Sequence, residues 1–188
     1  MNLIILFSLI ILLTFRFVRN RKTQNRKEGK AYSSQILTIQ FLFYIILVLL
    51  VFLEFFLAQR RLNYSISILG FFIYILALIG REWAIKTLGE YWSADIRIKE
   101  NHRLIKEGPY RYVRHPNLLS LLLETNALCL ILNSYLCLLF VWLVYFPLIL
   151  LRIKFEERVL VERLGSEYIE YRKKTRSLLP IVRRKNAH

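Results

Sequence analysis

The chain has 188 residues, 56% of them hydrophobic, and a formal net charge of +15. A soluble domain of that composition would expose large apolar patches, and the apolar residues fall in blocks, so the balance points to a membrane protein. The length accommodates one compact membrane domain, 1–188, and no second folded domain of ordinary size.

In chain order, five apolar segments stand out at 2–18, 36–57, 65–83, 117–132 and 135–151. The second and third approach the ~20 residues that cross a hydrocarbon core, and the others are shorter. Asn2 to Phe15 has no basic residues before it and no small-residue cleavage site after it. It therefore reads as a retained membrane helix rather than a secretory signal. Asn133-Ser134 predicts a tight turn between the last two segments, and Pro147 predicts a kink in the fifth. A single buried hairpin that never fully crosses is the alternative for 117–151. The expected fold class is all-α, a polytopic membrane protein with about five transmembrane helices and a C-terminal helical region on the cytoplasmic side.

Orientation follows from the loops. Arg16, Arg19, Arg21, Lys22, Arg26, Lys27 and Lys30 crowd the first loop, against Glu28 alone. Residues 58–64 carry only Arg60 and Arg61, whereas the loop 84–116 and the tail after 151 are strongly basic. With five crossings the basic loops share one side, which the positive-inside rule makes cytoplasmic, with the N-terminus outside and the C-terminus inside. Basic residues that flank spans serve orientation and attraction to anionic lipid, so nucleic acid is not the expected partner. Cys129 and Cys137 lie in apolar surroundings and read as packing residues.

The densest chemistry is the run Gly108-Pro109-Tyr110-Arg111-Tyr112-Val113-Arg114-His115-Pro116-Asn117 between apolar segments. In a helix, Arg111 and Arg114 would share a face, as would Tyr112 and His115. Pro116 marks a boundary, and Asn117 is the expected cap of the next helix. Cationic side chains beside a helix N-terminus suit a carboxylate or phosphate. Ahead of the run, Ile96-Arg97-Ile98-Lys99 alternates like a short extended piece, and Glu107-Gly108-Pro109 reads as a turn.

Arg81 and Glu82 read equally as ordinary helix-end charges or as candidates for chemistry, and Trp83 as an interfacial anchor. Glu124, within the fourth segment, must be paired or line a cavity, and it is expected within reach of the run. Glu54 is expected to snorkel or pair with Arg60 or Arg61. After the last apolar segment, Arg152 and Glu156 are helix neighbours at i,i+4, and the adjacent Glu156 and Glu157 point in different directions. There is no dinucleotide fingerprint or phosphate loop, and His102, His115 and His188 do not make a metal site. Composition and spacing reach a membrane-embedded site for an anionic or zwitterionic ligand, open to the cytoplasm, without naming a reaction.

From Arg81 to about Pro180 the chain resembles the isoprenylcysteine carboxyl methyltransferase family, including its small prokaryotic members. The resemblance rests on Arg81-Glu82-Trp83 with Leu88-Gly89, on His102-Arg103-Leu104, and on Gly108 through Pro116. It continues in Arg152-Ile153 with Glu156-Glu157, Leu160, Gly165, Tyr168, Tyr171 and Pro180, so 81–180 is the family-like core and 1–57 is less distinctive. The resemblance implies methyl transfer from S-adenosylmethionine to a lipophilic acceptor. It places Leu104, Ile105, Tyr112, His115 and Glu156 or Glu157 around the cofactor, and Arg152, one turn from Glu156, at the reacting centre. By charge alone, Arg114 and His115 suit the cofactor carboxylate and Glu156 or Glu157 its ammonium, with no metal expected. An isoprenylcysteine carboxylate is the expected acceptor, with an alkylated pyrone or phenol as the alternative; the latter needs a proton acceptor, Glu156 or Glu124. An NADPH-dependent membrane lipid reductase and a non-enzymatic membrane adaptor are the remaining alternatives. Leu118 and Ser120 depart from the tyrosine and glycine common in the family.

Overall fold

The computed structural model describes residues 30–31, 34–58, 62–92, 97–98 and 103–179. The first apolar segment and its basic flank up to residue 29, with Arg60, Arg61 and His102, lie outside these residues. The described chain is helical: α1 is Ser34–Ala58, α2 Tyr64–Leu88, α3 Pro116–Ile131, α4 Tyr135–Leu164 and α5 Ser166–Lys174. The extended piece expected near 97 is present as β2, Arg97–Ile98, which pairs antiparallel with β1, Lys30–Ala31.

Thr38–Ala58 within α1, α2 and α4 are long and apolar enough to cross a membrane. The outward faces carry exposed Leu49, Phe56, Ile68, Phe72, Leu136 and Leu143, as lipid-facing surfaces do. The protein is therefore read as an integral membrane protein. Helix α3 has 16 residues, about 24 Å at the α-helical rise, short of the ~30 Å hydrocarbon core. It is held as an inner member, with ten of its residues buried, among them Ala127, Leu128 and Ile131.

Helices α2 and α3 run antiparallel in close contact. A Cβ on Gly70 would lie 2.8 Å from the Ile131 backbone nitrogen and 3.1 Å from the Ala127 carbonyl oxygen. Only glycine permits that approach. Ser67 hydroxyl donates to the Ile131 carbonyl at 2.8 Å, tying a start to an end. Further along, a Cβ on Gly80 would meet Ser120 Oγ at 3.3 Å, so the glycine of α2 makes room for the serine of α3.

The turn expected at Asn133-Ser134 closes α3 by a Schellman motif. Asn133 takes φ 54°, its N–H bonds to the Leu130 carbonyl at 3.1 Å, and the Ser134 N–H bonds to the Cys129 carbonyl at 2.8 Å. The Asn133 amide also accepts from the Asn63 N–H at 2.9 Å and donates to Ser67 Oγ at 3.0 Å. One side chain thus joins the start of α2 to the end of α3.

Pro147 acts through the turn before it. Residues Val141–Tyr145 form a π-helical turn, closed by the Phe146 N–H on the Val141 carbonyl. The wider turn accommodates a proline that cannot donate and whose ring crowds the preceding turn. The cationic partners expected for Glu54, Arg60 and Arg61, lie outside the described residues. The Glu54 carboxylate accepts from the N–H groups of Leu136 and Cys137, at 3.2 and 3.0 Å, at the start of α4. An uncapped helix start within the bundle presents orphan donors, which a carboxylate satisfies and the helix dipole favours.

Candidate active site

The run 108–117 is a sequence of turns, so the shared helical faces expected for it do not form. Gly108–Arg111 is one turn of 3-10 helix, entered at Gly108 with φ 54°. A Cβ there would lie 2.7 Å from Thr87 Oγ1, so glycine allows both the backbone conformation and the docking of this turn on the end of α2. Arg111 is exposed, whereas Arg114 turns inward. Helix α3 begins at Pro116, with His115 as its cap residue. Asn117 is therefore inside the first turn rather than at the cap. Its Oδ1 is buried with no hydrogen-bond partner among the described residues.

Backbone pairing with the tail fixes the turns. Val113 bridges Arg176, and the N–H groups of Arg114 and His115 donate to the carbonyls of Arg176 and Ser177 at 2.8 and 3.1 Å. Leu178 is buried in the apolar core. The Tyr171 hydroxyl donates to the Tyr110 carbonyl at 2.5 Å. Burial raises the pKa of Tyr110, Tyr168 and Tyr171, so these phenols stay neutral. Residues 171–178 thus form a strap across the start of α3.

At the centre is an ionic chain. Glu157 Oε1 accepts from Arg114 Nη2 at 2.6 Å, Arg114 Nε at 2.9 Å and His115 Nε2 at 3.2 Å. Arg114 Nη1 donates to the carbonyls of Arg172 and Thr175, so each guanidinium nitrogen has a protein partner. His115 thus stands between the two carboxylates, with its Nδ1 3.7 Å from Glu156 Oε2. Glu156 Oε2 lies 4.0 Å from Arg152 Nε. The Glu157 side chain is 11% exposed and that of Glu156 31%, so one carboxylate is locked and its neighbour remains accessible.

The residues singled out in sequence therefore fall into groups. Arg114, His115, Glu156, Glu157 and Arg152 form one connected chain. Tyr112 stands beside it in sequence with an exposed side chain, and Leu104 and Ile105 are half-buried in the loop before it. Glu124, expected within reach of the run, is completely buried and paired with Arg81 at 3.3 Å, between α2 and α3. Its carboxylate needs that cation because depth in the bundle removes water. Arg81 is correspondingly an inward partner rather than a helix-end charge. The tail's backbone contacts had no sequence signal. Gln40 was also missed: its Oε1 accepts from Arg152 Nη1 at 2.5 Å. A glutamine alone in an otherwise apolar stretch was the signal available.

A bundle of apolar helices with a connected Arg/His/Glu cluster at one end defines an integral membrane protein with a candidate polar site. The model of the isoprenylcysteine carboxyl methyltransferase family matches residues 68–162, half of the chain. The chain belongs to this family. It is 30% identical over 135 residues to the uncharacterized protein YpbQ of Bacillus subtilis, covering 71% of this chain and 77% of that one. It is 32% identical over 121 residues to the protein-S-isoprenylcysteine O-methyltransferase of Schizosaccharomyces pombe, covering 63% of this chain and 50% of the yeast enzyme. The solved eukaryotic intramembrane Ras methyltransferase ICMT superposes with a TM-score of 0.69 at 24% identity, over 74% of this chain and 52% of that one, and shows the shared fold. The chain thus spans about half the length of these two eukaryotic relatives.

Proposed function

We propose that the protein transfers a methyl group from S-adenosylmethionine to a lipophilic carboxylate, of which an isoprenylcysteine carboxyl is the model. The observation that carries this reading is the continuous chain Arg114–Glu157–His115–Glu156–Arg152 in a family-matched membrane helix hairpin. The donor set fits the cofactor: Glu156 is an accessible carboxylate for a cationic ligand, and the buried Asn117 Oδ1 and Ser177 Oγ have no hydrogen-bond partner among the described residues. When bound, S-adenosylmethionine supplies a sulfonium-held methyl group, whose transfer to a carboxylate leaves a methyl ester and a neutral thioether and releases no proton.

The chain's own residues divide the remaining work. Glu156, His115, Tyr112, Leu104 and Ile105 bind the cofactor, and Glu157 anchors His115. Arg114 acts as a positioning residue, since its donors already hold Glu157 and the tail. Arg152 orients the acceptor carboxylate, which needs placement and exclusion of water more than activation. A phenol or enol would require a proton acceptor, and since Glu124 is already paired with Arg81, Glu156 is the candidate left for that role. The positive-inside rule, applied to the basic loop and tail, supports a cytoplasmic site with the N-terminus opposite.

Titration of the purified protein with S-adenosylmethionine and, separately, with NADPH tests the reading. Saturable binding of the first is expected. Binding of NADPH alone points instead to a reductase, and binding of neither points to an adaptor.

A further inference from the structure

Gln40 lies on α1, outside the residues 68–162 that match the family model. It is 4% exposed, in a helix whose neighbouring positions are apolar. Arg152, across from it on α4, is 7% exposed and donates from Nη1 to Gln40 Oε1 at 2.5 Å. A guanidinium has only donors, so the atom facing it is the amide oxygen, and the amide orientation is thereby fixed. The other end of the amide, Nε2, is a donor, and it has no hydrogen-bond partner among the described residues. A buried donor of this kind calls for an acceptor.

We infer that Gln40 is an acceptor-binding specificity residue, whose Nε2 donates to an oxygen of a lipophilic carboxylic acid substrate while its Oε1 steers Arg152 to the same group. The inference rests on the methyl-transfer reading and deepens it. A carboxylate has two oxygens and only accepts, which matches two neighbouring donors. A phenol brings an O–H that neither Gln40 Nε2 nor Arg152 can accept. Because α1 lies outside the family-matched segment, the helix that selects the acceptor is supplied by a part of the chain distinct from the one that carries Arg152 and Glu156.

The test is labelled methyl transfer from S-adenosylmethionine to N-acetyl-S-farnesylcysteine and to a phenol bearing the same farnesyl chain, by the wild-type protein, Gln40→Glu and Gln40→Leu. Glutamate keeps an oxygen for Arg152 and replaces the donor by a negative charge, and leucine removes the donor without adding charge, so a loss on the carboxylate in both variants is read as loss of the donor rather than repulsion. Gln40→Glu is expected to raise KM for the carboxylate by about tenfold or more, with cofactor affinity, which also reports folding, held within about twofold. Use of the phenol should change far less. If Gln40→Leu does not fold, the neutral Gln40→Met takes its place. Wild-type KM in Gln40→Glu, or equal losses on both acceptors, overturns the inference while leaving methyl transfer standing. Failure of the wild-type protein to methylate either acceptor overturns both.

Discussion

Glu156 and Glu157 are adjacent in sequence and carry the same charge, yet their surroundings give them different work. Glu157 is gripped by Arg114 and His115, while Glu156 keeps an accessible edge between His115 and Arg152. Removing one partner of a nearly buried ion pair strands the other charge. Arg114→Ala should therefore lower stability by on the order of 3 kcal/mol, read as a fall in the thermal midpoint in detergent. The strap should become protease-sensitive in the same variant, because Arg114 also holds the Arg172 and Thr175 carbonyls. Arg152→Ala should behave differently, abolishing methyl transfer while leaving S-adenosylmethionine affinity within about tenfold. Equal loss of binding and transfer in titration and turnover assays would place Arg152 on the cofactor instead. Arg114 and His115 were legible in sequence as functional candidates because charged and aromatic residues do not gather idly at a membrane flank. Their actual partners were not, since Glu157 lies 43 and 42 positions away and no local periodicity reports such contacts.

Among the elements, the α2–α3 pair is the most tightly specified. Gly70→Ala should separate the helices, since the added carbon meets backbone rather than a yielding side chain. A cost of about 1–3 kcal/mol is expected, measured by thermal or denaturant unfolding. At the end of α3, Asn133→Val should cost more than Asn133→Gly. Both lose the side-chain clasp on Asn63 and Ser67, but only valine also resists φ 54°. The helices were legible as apolar blocks, and the break at Asn133-Ser134 was legible from its polar residues. What the blocks did not report is a matter of geometry in three dimensions. Pro147 announces a disturbance, but whether it becomes a kink or a π turn depends on how the preceding carbonyls are rearranged. Glu54 similarly announces a carboxylate in an apolar helix, while its role at the start of α4 depends on which helix folds back beside α1.

At the scale of the whole molecule, the protein places a polar, ion-paired site at one end of an apolar bundle. The strap brings residues far along the chain back onto the 108–117 turns, so site and tail stand or fall together. The measurement that tests the account most directly is transfer of labelled methyl from S-adenosylmethionine to N-acetyl-S-farnesylcysteine by the purified protein in lipid, with Arg152→Ala run alongside. The account predicts base-labile label, the signature of a methyl ester, with the wild-type protein and none with the variant. Wild-type protein that binds S-adenosylmethionine but forms no ester, or a variant that forms it equally well, would contradict it.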